Sequence, residues 1–278
     1  MAAIVLCEPI NLYNLLNQRV TVSRLAEINY LCLIDARETQ DYNVSHIITA
    51  KHGKTNTKGG FLPLENVEMD TMQNIVVYDS KTNCLNNKGR ANQCAKMVAK
   101  SSLCIVQILS GGFQSFSALY PFLRTEKIAY TIKELENLRT YPVEIIPGKL
   151  YMGNEEQANS STTMEPLKIE AVVGLSAHHT SVWNKDVLKL EVGTEADKKI
   201  FSFVKICNFI DSQISNGSRV LLVSRHGARR CSVAATAYVM LQHKCCFQEA
   251  WSYVKSCKPS VIFDKRFTEQ LSDWEKKV

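Results

Sequence analysis

Short, almost entirely apolar segments alternate along the chain with longer stretches that mix apolar and polar residues. Three apolar segments in the first half predict strands of a parallel sheet, which are buried on both faces. They are residues 31–34, 75–78 and 105–109. Residues 89–100 predict a helix between the last two, so the first half is expected to have α/β layering.

The second half shows the same alternation. Its expected strands are 143–146, 171–175, 187–190 and 220–223. A helix is predicted over 197–215, because apolar residues recur there every three or four positions and Asn216-Gly217 provides a left-handed end. Further helices are expected at 231–241, 246–257 and 265–276.

A polar stretch separates the two halves. Residues 125–141 are rich in Lys and Glu and lead into Pro142, which is typical of a domain boundary. We therefore predict a first domain over 10–126, a linker over 127–140 and a second domain over 141–278. A chain of 278 residues has room for two domains of ordinary size.

Composition and charge narrow the classes of function. The chain is 45% hydrophobic and 22% charged, which is typical of a globular protein. Its net charge of +6 is spread evenly, with 15 basic against 12 acidic residues through position 140 and 18 against 15 after it. Proteins that bind nucleic acid concentrate basic charge in a stripe or tail, so we predict no nucleic-acid partner.

The ten cysteines are expected to be reduced, as in an intracellular protein. The apolar run that begins at Ile4 stops before Glu8, and no run reaches the about 18 residues of a membrane span. We predict no metal and no cofactor, because no Cys-x-x-Cys pair occurs and Cys245 and Cys246 would point about 100° apart on a helix. The first 24 residues hold one acid and two arginines, so the compartment stays open between cytosol and mitochondrion.

The loop after strand 220–223 has the features of an anion site. Backbone N–H groups and the helix dipole converge where such a loop enters a helix. Gly227 would allow close approach of a ligand, and Arg230 offers a bidentate fork for phosphate. Spacing alone fits an ordinary strand-to-helix turn with a surface arginine equally well.

Residues 220–240, VLLVSRHGARRCSVAATAYVM, resemble the signature segment of the dual-specificity protein phosphatases. That pattern is His-Cys-x-x-Gly-x-x-Arg-Ser/Thr, followed by a helix of small residues. Gly227, Arg230 and Tyr238 fall on it, and the resemblance extends over 141–278. It implies the phosphatase fold. The phosphate-binding residues that it implies are Ser224, Arg225, His226, Gly227, Ala228, Arg229 and Arg230.

The departures from this pattern predict an inactive enzyme. Ser224 stands at the position of the cysteine nucleophile, Val223 replaces the preceding histidine, and the general-acid position falls near Gly193. A helix N-terminus lowers a cysteine pKa to roughly 3.5–7.5, whereas a serine hydroxyl without an adjacent base has no accessible anion. Cys231, which replaces the Ser/Thr after the arginine, is interpreted as a buried helix cysteine.

Residues 10–124 resemble the rhodanese-like domain found at the N-terminus of MAP kinase phosphatases. The matching segments are 33–37 (LIDAR), 45–47 (SHI), 76–79 (VVYD) and 109–113 (LSGGF). The resemblance implies a parallel sheet with helices on both faces. A catalytic rhodanese has its sulfur-accepting cysteine directly after the strand of the third segment, but Asp79 stands there and cannot form a persulfide. His46 is interpreted as a packing residue.

The two resemblances together imply a pseudophosphatase that regulates signalling by binding phosphoproteins or other phosphatases. Stress-granule proteins, a mitochondrial phosphatase and apoptosis are implied by resemblance alone. MAP kinase docking is not expected. MAP kinase phosphatases dock kinases through consecutive arginines, and in their place this chain has the scattered residues Lys51, His52, Lys54 and Lys58. Two alternatives remain open: a scaffold whose pocket is filled by Arg225, His226 and Arg229, and a weakly active phosphatase with another nucleophile.

Overall fold

The structure, a computed structural model, describes residues 2–86, 88–175, 186–189, 202–225, 227–263 and 265–278. The chain divides into two compact units, Met1–Arg139 and Thr140–Val278. The predictions for Gly193 and His226 lie outside the described residues. Each unit has its own sheet and its own apolar core.

The first unit alternates strands and helices. In chain order they are β1 (Ile4–Cys7), α1 (Pro9–Leu16), β2 (Leu31–Asp35), α2 (Thr39–Val44), β3 (His46–Ile47), β4 (Lys51–His52), β5 (Asn74–Tyr78), α3 (Arg90–Val98), β6 (Val106–Leu109), α4 (Gly112–Leu119), β7 (Arg124–Thr125) and α5 (Ile132–Glu136). Strands β2, β5 and β6 and helix α3 confirm the four elements expected from the apolar pattern. Short 3-10 helices lie at Arg24–Ala26 and Pro121–Leu123.

The main sheet of this unit is parallel and has the order β1-β6-β5-β2-β4. Its central strand, β5, has Ile75, Val76, Val77 and Tyr78 fully buried, so both faces are covered. Strand β1 was not predicted. It lies at the sheet edge, where Val5 and Leu6 are each 38% exposed, so it has no continuous buried pattern.

The segment expected as a linker carries a helix of the first unit. The Thr131 hydroxyl accepts a hydrogen bond from the Glu134 amide, and the Glu134 carboxylate accepts one from the Thr131 amide, which is a capping box for α5. Lys127 Nζ lies 2.6 Å from Glu134 Oε1. Helix α5 contacts the 3-10 helix at Arg24–Ala26. These interactions give residues 127–136 a fixed place in this unit.

The second unit begins with a hairpin and continues as an α/β layer. Its elements are β8 (Val143–Ile146), β9 (Leu150–Asn154), α6 (Glu155–Ala158), α7 (Ser161–Met164), β10 (Ile169–Gly174), β11 (Asp186–Lys189), α8 (Phe203–Ser215), β12 (Arg219–Ser224), α9 (Arg229–His243), α10 (Phe247–Cys257) and α11 (Thr268–Glu275). A 3-10 helix at Lys265–Phe267 precedes α11. Gly217, with φ +85°, ends α8 in the left-handed region, as expected.

The sheet order of the second unit is β11-β10-β12-β9-β8, and among the described strands of this sheet only the β8–β9 pair is antiparallel. Strand β12 is central. Helix α9 lies in the core with every residue from Cys231 to Met240 buried. In open α/β sheets, ligands bind beyond the carboxyl ends of the strands, so the loop between β12 and α9 occupies the position of a functional site.

Candidate functional site

The end of β12 places Ser224 on the floor of this loop. In the ladder Ser224 lies opposite Asn154 of β9, and it is only 6% exposed. The preceding Val223 is fully buried and faces a glycine on each neighbouring strand, Gly174 and Gly153. The structure extends the strand predicted over 220–223 by one residue at each end, so Ser224 is its last residue, at the carboxyl edge of the sheet.

Gly227 fits the loop against the protein's own backbone. Its φ is +59°, and a Cβ added there would lie 2.7 Å from the carbonyl carbon of Gly153 and 2.9 Å from the nitrogen of Asn154. The Gly227 amide donates to the Ser224 carbonyl over 3.0 Å. The expectation that this glycine serves close approach of a ligand needs correction, because its close neighbour in the structure is strand β9. The Gly227 amide is also already used within the loop.

Arg230 is held across the carboxyl edge of the sheet. Its Nη1 donates to the Leu175 carbonyl over 3.2 Å, and the Leu175 amide in turn donates to the Val223 carbonyl. Arg225 and Arg229 are exposed, while Arg230 is half-buried. The guanidinium group of Arg230 is thus fixed next to the end of β12.

Cys231 lies below the loop and contacts Ser224. The thiol donates to the Ser224 hydroxyl oxygen over 3.1 Å and lies 3.8 Å from the Gly153 carbonyl oxygen. The residue is fully buried, which confirms its interpretation as a buried helix cysteine. Burial raises the pKa of Cys231 to about 12, although Ser224, Lys258 and Arg230 each act to lower it. The thiol is therefore neutral at pH 7 and is a poor nucleophile.

Asp79 directly follows β5 in the first unit and binds backbone amides. Its carboxylate accepts hydrogen bonds from the amides of Lys81 (3.1 Å), Thr82 (2.8 Å) and Ala91 (3.0 Å), and from the Thr82 hydroxyl (2.7 Å). Burial alone would raise the pKa of Asp79, but these hydrogen bonds outweigh it and lower the pKa. This network was not predicted from the sequence, which indicated only that a cysteine is missing at this position. An aspartate at a strand end, followed three residues later by threonine, was the available signal.

A cavity of about 460 Å³ opens beside Asp79. It is lined by both signs of charge, including Arg37, Arg90, Glu38 and Asp41. Arg37 is committed to the protein itself. It pairs with the fully buried Asp35, with Nη2 at 2.6 Å from Oδ2, and its guanidinium lies 3.8 Å from the Phe113 ring centre. The 33–37 segment thus serves packing and pairing within this unit.

His46 and the remaining candidates have structural surroundings. His46 is fully buried, with Nδ1 at 2.9 Å from the Tyr42 carbonyl and Nε2 at 3.1 Å from the Lys127 carbonyl, which confirms its packing role. Within the part of the chain that the structure describes, no group of three or more His, Cys, Asp or Glu side chains is placed to hold a metal ion. In the same part of the chain, no helix combines the length and the apolar character needed to cross a bilayer.

Two family models match separate parts of the chain. The rhodanese-like domain matches residues 18–119, and the catalytic domain of the dual-specificity phosphatases matches residues 150–277. Human dual specificity protein phosphatase 16 is 26% identical over 276 residues, covering 88% of this chain and 41% of the relative. Human dual specificity protein phosphatase 8 is 23% identical over 273 residues, covering 88% of this chain and 44% of the relative. The chain therefore spans less than half the length of these two relatives.

Two further similar proteins are also a phosphatase or phosphatase-like by name. A probable rhodanese domain-containing dual specificity protein phosphatase of Dictyostelium discoideum is 24% identical over 175 residues, covering 61% of this chain and 37% of the relative. The crystal structure of human tyrosine phosphatase-like serine/threonine/tyrosine-interacting protein is 20% identical with a TM-score of 0.45, covering 50% of this chain and 98% of that one. From the two family matches, the chain carries a rhodanese-like domain followed by a domain of the dual-specificity phosphatase family.

Proposed function

We propose that the second domain is a catalytically inactive phosphatase domain that binds phosphorylated side chains without hydrolysing them. On this proposal the protein regulates signalling by binding phosphoproteins or phosphatase partners. The observation that carries the proposal is Ser224 on the floor of the loop, with the neutral thiol of Cys231 buried beneath it.

The chemistry of the floor supports inactivity. Within the described part of the chain the Ser224 hydroxyl contacts the neutral thiol of Cys231 and no base, so nothing there takes its proton to form an alkoxide. Cys231 does not replace the nucleophile, because it is fully buried and its pKa is raised to about 12. Without a nucleophile, the covalent phosphoenzyme step of this family has no starting point.

The remaining groups favour binding of an oxyanion. Arg230 is held at the edge of the sheet by Leu175, and helix α9 begins at Arg229 with its positive dipole end toward the loop. Ser224 is neutral, so it does not repel a phosphate dianion as a thiolate would. These features support the loop residues 224–230 as the phosphate-binding site.

The first prediction is that the purified protein does not hydrolyse an aryl phosphate such as p-nitrophenyl phosphate above the buffer rate. Calorimetry at low ionic strength is expected to show binding of a phosphotyrosine peptide that weakens with salt and disappears with Arg230→Ala. The unphosphorylated peptide is the matched control. Turnover that is lost with Arg230→Ala would support the weakly active phosphatase instead. Absence of phosphopeptide binding at low salt would support the scaffold with a vestigial pocket.

The second prediction concerns the first domain, which is expected to transfer no sulfur from thiosulfate to cyanide. Asp79 occupies the position after β5 and its carboxylate is bound by loop amides, so no thiolate is available there. Cys84 is exposed further along the same loop, and Cys84→Ser serves as its control. Thiocyanate formation that Cys84→Ser or Asp79→Ala removes would contradict the assignment.

Partners and compartment are proposed on resemblance alone. The proposed partners are a stress-granule protein and a mitochondrial phosphatase. The proposed compartment of this protein is the cytoplasm or the mitochondrion, and its proposed role is in apoptosis. MAP kinases are not proposed. The region that would dock them, residues 51–58, contains no arginine. Lys51 and His52 form the short edge strand β4, and Lys54 Nζ lies 3.9 Å from Glu65 Oε1.

A further inference from the structure

Cys231 and Ser224 form a buried pair, and the fold determines which of the two side chains donates the hydrogen bond between them. The Cys231 thiol lies 3.1 Å from the Ser224 hydroxyl oxygen, and the residues are 0% and 6% exposed. Thiol and hydroxyl each have one proton to donate. The direction of donation between them decides what the Ser224 hydroxyl offers to a ligand in the loop.

The surroundings of Cys231 favour its role as the donor. The geometry of the contact makes the thiol the donor and the Ser224 oxygen the acceptor, and the other acceptor near the thiol, the Gly153 carbonyl oxygen, is farther away at 3.8 Å. Burial also raises the pKa of Cys231 to about 12, so the thiol keeps its proton at pH 7. Lys258 and Arg230 are the charged groups that act on it, and neither withdraws the proton at that pH. When Cys231 donates, the oxygen of Ser224 has its acceptor role filled and its own proton is left to point elsewhere.

The proton of Ser224 has no acceptor within the described part of the chain. The hydroxyl makes no hydrogen bond there besides the one with Cys231. A buried donor without an acceptor costs free energy, and a hydrogen bond to an anion is about twice as strong as a neutral one. The unfilled side of the hydroxyl is therefore best satisfied by an oxyanion lying in the loop above it.

We propose that Ser224 donates a hydrogen bond to the bound phosphate group and that Cys231 is the positioning residue that directs this proton toward the ligand. The proposal rests on the proposed function, and it specifies the ligand as a phosphate monoester that is held and not attacked. The exchange of thiol and hydroxyl relative to the family pattern thus serves binding as well as removing the nucleophile.

A double-mutant cycle tests the pairing, with phenyl phosphate as the probe and calorimetry as the measurement. Ser224→Ala is expected to weaken binding about tenfold or more, as for a hydrogen bond to a charged group. Cys231→Ser keeps a donor beneath Ser224 and is expected to stay within about threefold of the unchanged protein. Cys231→Ala is expected to weaken binding several-fold in the unchanged background and not at all beside Ser224→Ala.

The controls separate positioning from packing. Cys231→Val is closer to cysteine in volume and lacks the donor, so it provides a second version of the cycle if the alanine variant does not fold. Cys207→Ala removes another buried thiol from the same unit, away from Ser224, and is expected to leave affinity unchanged.

Equal losses from Cys231→Ala in both backgrounds, or no loss in either, would overturn this inference while the proposed function stands. If phenyl phosphate and the phosphotyrosine peptide both fail to bind the unchanged protein, the inference and the proposed function are both wrong.

Discussion

Exchanging the two side chains on the floor of the loop, by Ser224→Cys together with Cys231→Ser, is expected to convert the second domain into a measurable phosphatase when Val223→His is added. The new thiol would lie at the end of β12 beside the first turn of α9, where a helix N-terminus lowers a thiol pKa to roughly 3.5–7.5. A hydroxyl from Cys231→Ser would then donate to the thiolate over a contact that is now 3.1 Å. Val223→His returns the histidine that precedes the nucleophile in the family pattern, at a position that is fully buried.

The single change Ser224→Cys is expected to behave differently from the exchange. It would place two thiols at a distance that is now 3.1 Å between sulfur and oxygen, and two cysteines so close readily form a disulfide. We expect this variant to hydrolyse p-nitrophenyl phosphate only with a reductant present. The triple variant is expected to be active without one.

The rate of the triple variant is expected to stay roughly 10²–10⁴-fold below that of an intact family member, because the resemblance puts the general-acid position near Gly193, which has no acidic group. Mass spectrometry of the acid-quenched protein should detect a cysteinyl-phosphate. A triple variant that folds and binds phosphate, but forms no phosphoenzyme in reductant, would show that residue 224 is not the nucleophile position.

Replacing Asp79 by alanine is expected to destabilise the first unit by about 3 kcal/mol, because buried amides and a hydroxyl lose their acceptor. Urea unfolding at pH 7 measures this loss. Asp79→Asn keeps one acceptor oxygen and should lose less. Asp70→Ala, an exposed aspartate of the same unit, is the matched control and is expected to change stability by less than about 0.5 kcal/mol.

The same carboxylate predicts a pH dependence. The pKa of Asp79 is lower in the folded protein than in the unfolded chain, so its contribution is fully present above the unfolded pKa and is lost as pH falls through the folded one. The stability difference between the unchanged protein and Asp79→Asn should therefore shrink in acid. Equal stability of Asp79→Ala and the unchanged protein at pH 7 would show that the amide network contributes nothing.

The elements that the sequence predicted share long buried segments. Strand β8 matches its expected bounds, and β2, β5, β6 and β12 lie within one or two residues of theirs. Helices α6 and α7 have four residues each, which is too short for an apolar period to show. Helix α5 is mostly exposed, so its capping box at Thr131 and Glu134 was its only local signal.

The candidate site could likewise be predicted only in part from the sequence. The sequence placed Ser224 and Arg230 around a strand-to-helix loop because spacing along one segment determines both positions. The hydrogen bond between Cys231 and Ser224 spans seven residues and depends on how α9 enters the core. The amides that bind Asp79 belong to a loop and to helix α3, which only the folded chain brings together.

The contact between Gly227 and strand β9 shows that this glycine of the motif is needed for the fold, independently of any activity. Any side chain at residue 227 would collide with the backbone of Gly153 and Asn154, whether or not a nucleophile is present. Selection for folding alone would therefore retain this glycine long after turnover had ceased. Among natural sequences with this loop, glycine at the equivalent of 227 marks the architecture. The residues at 223, 224 and 231 are then the positions that indicate whether such a sequence kept or lost phosphatase activity.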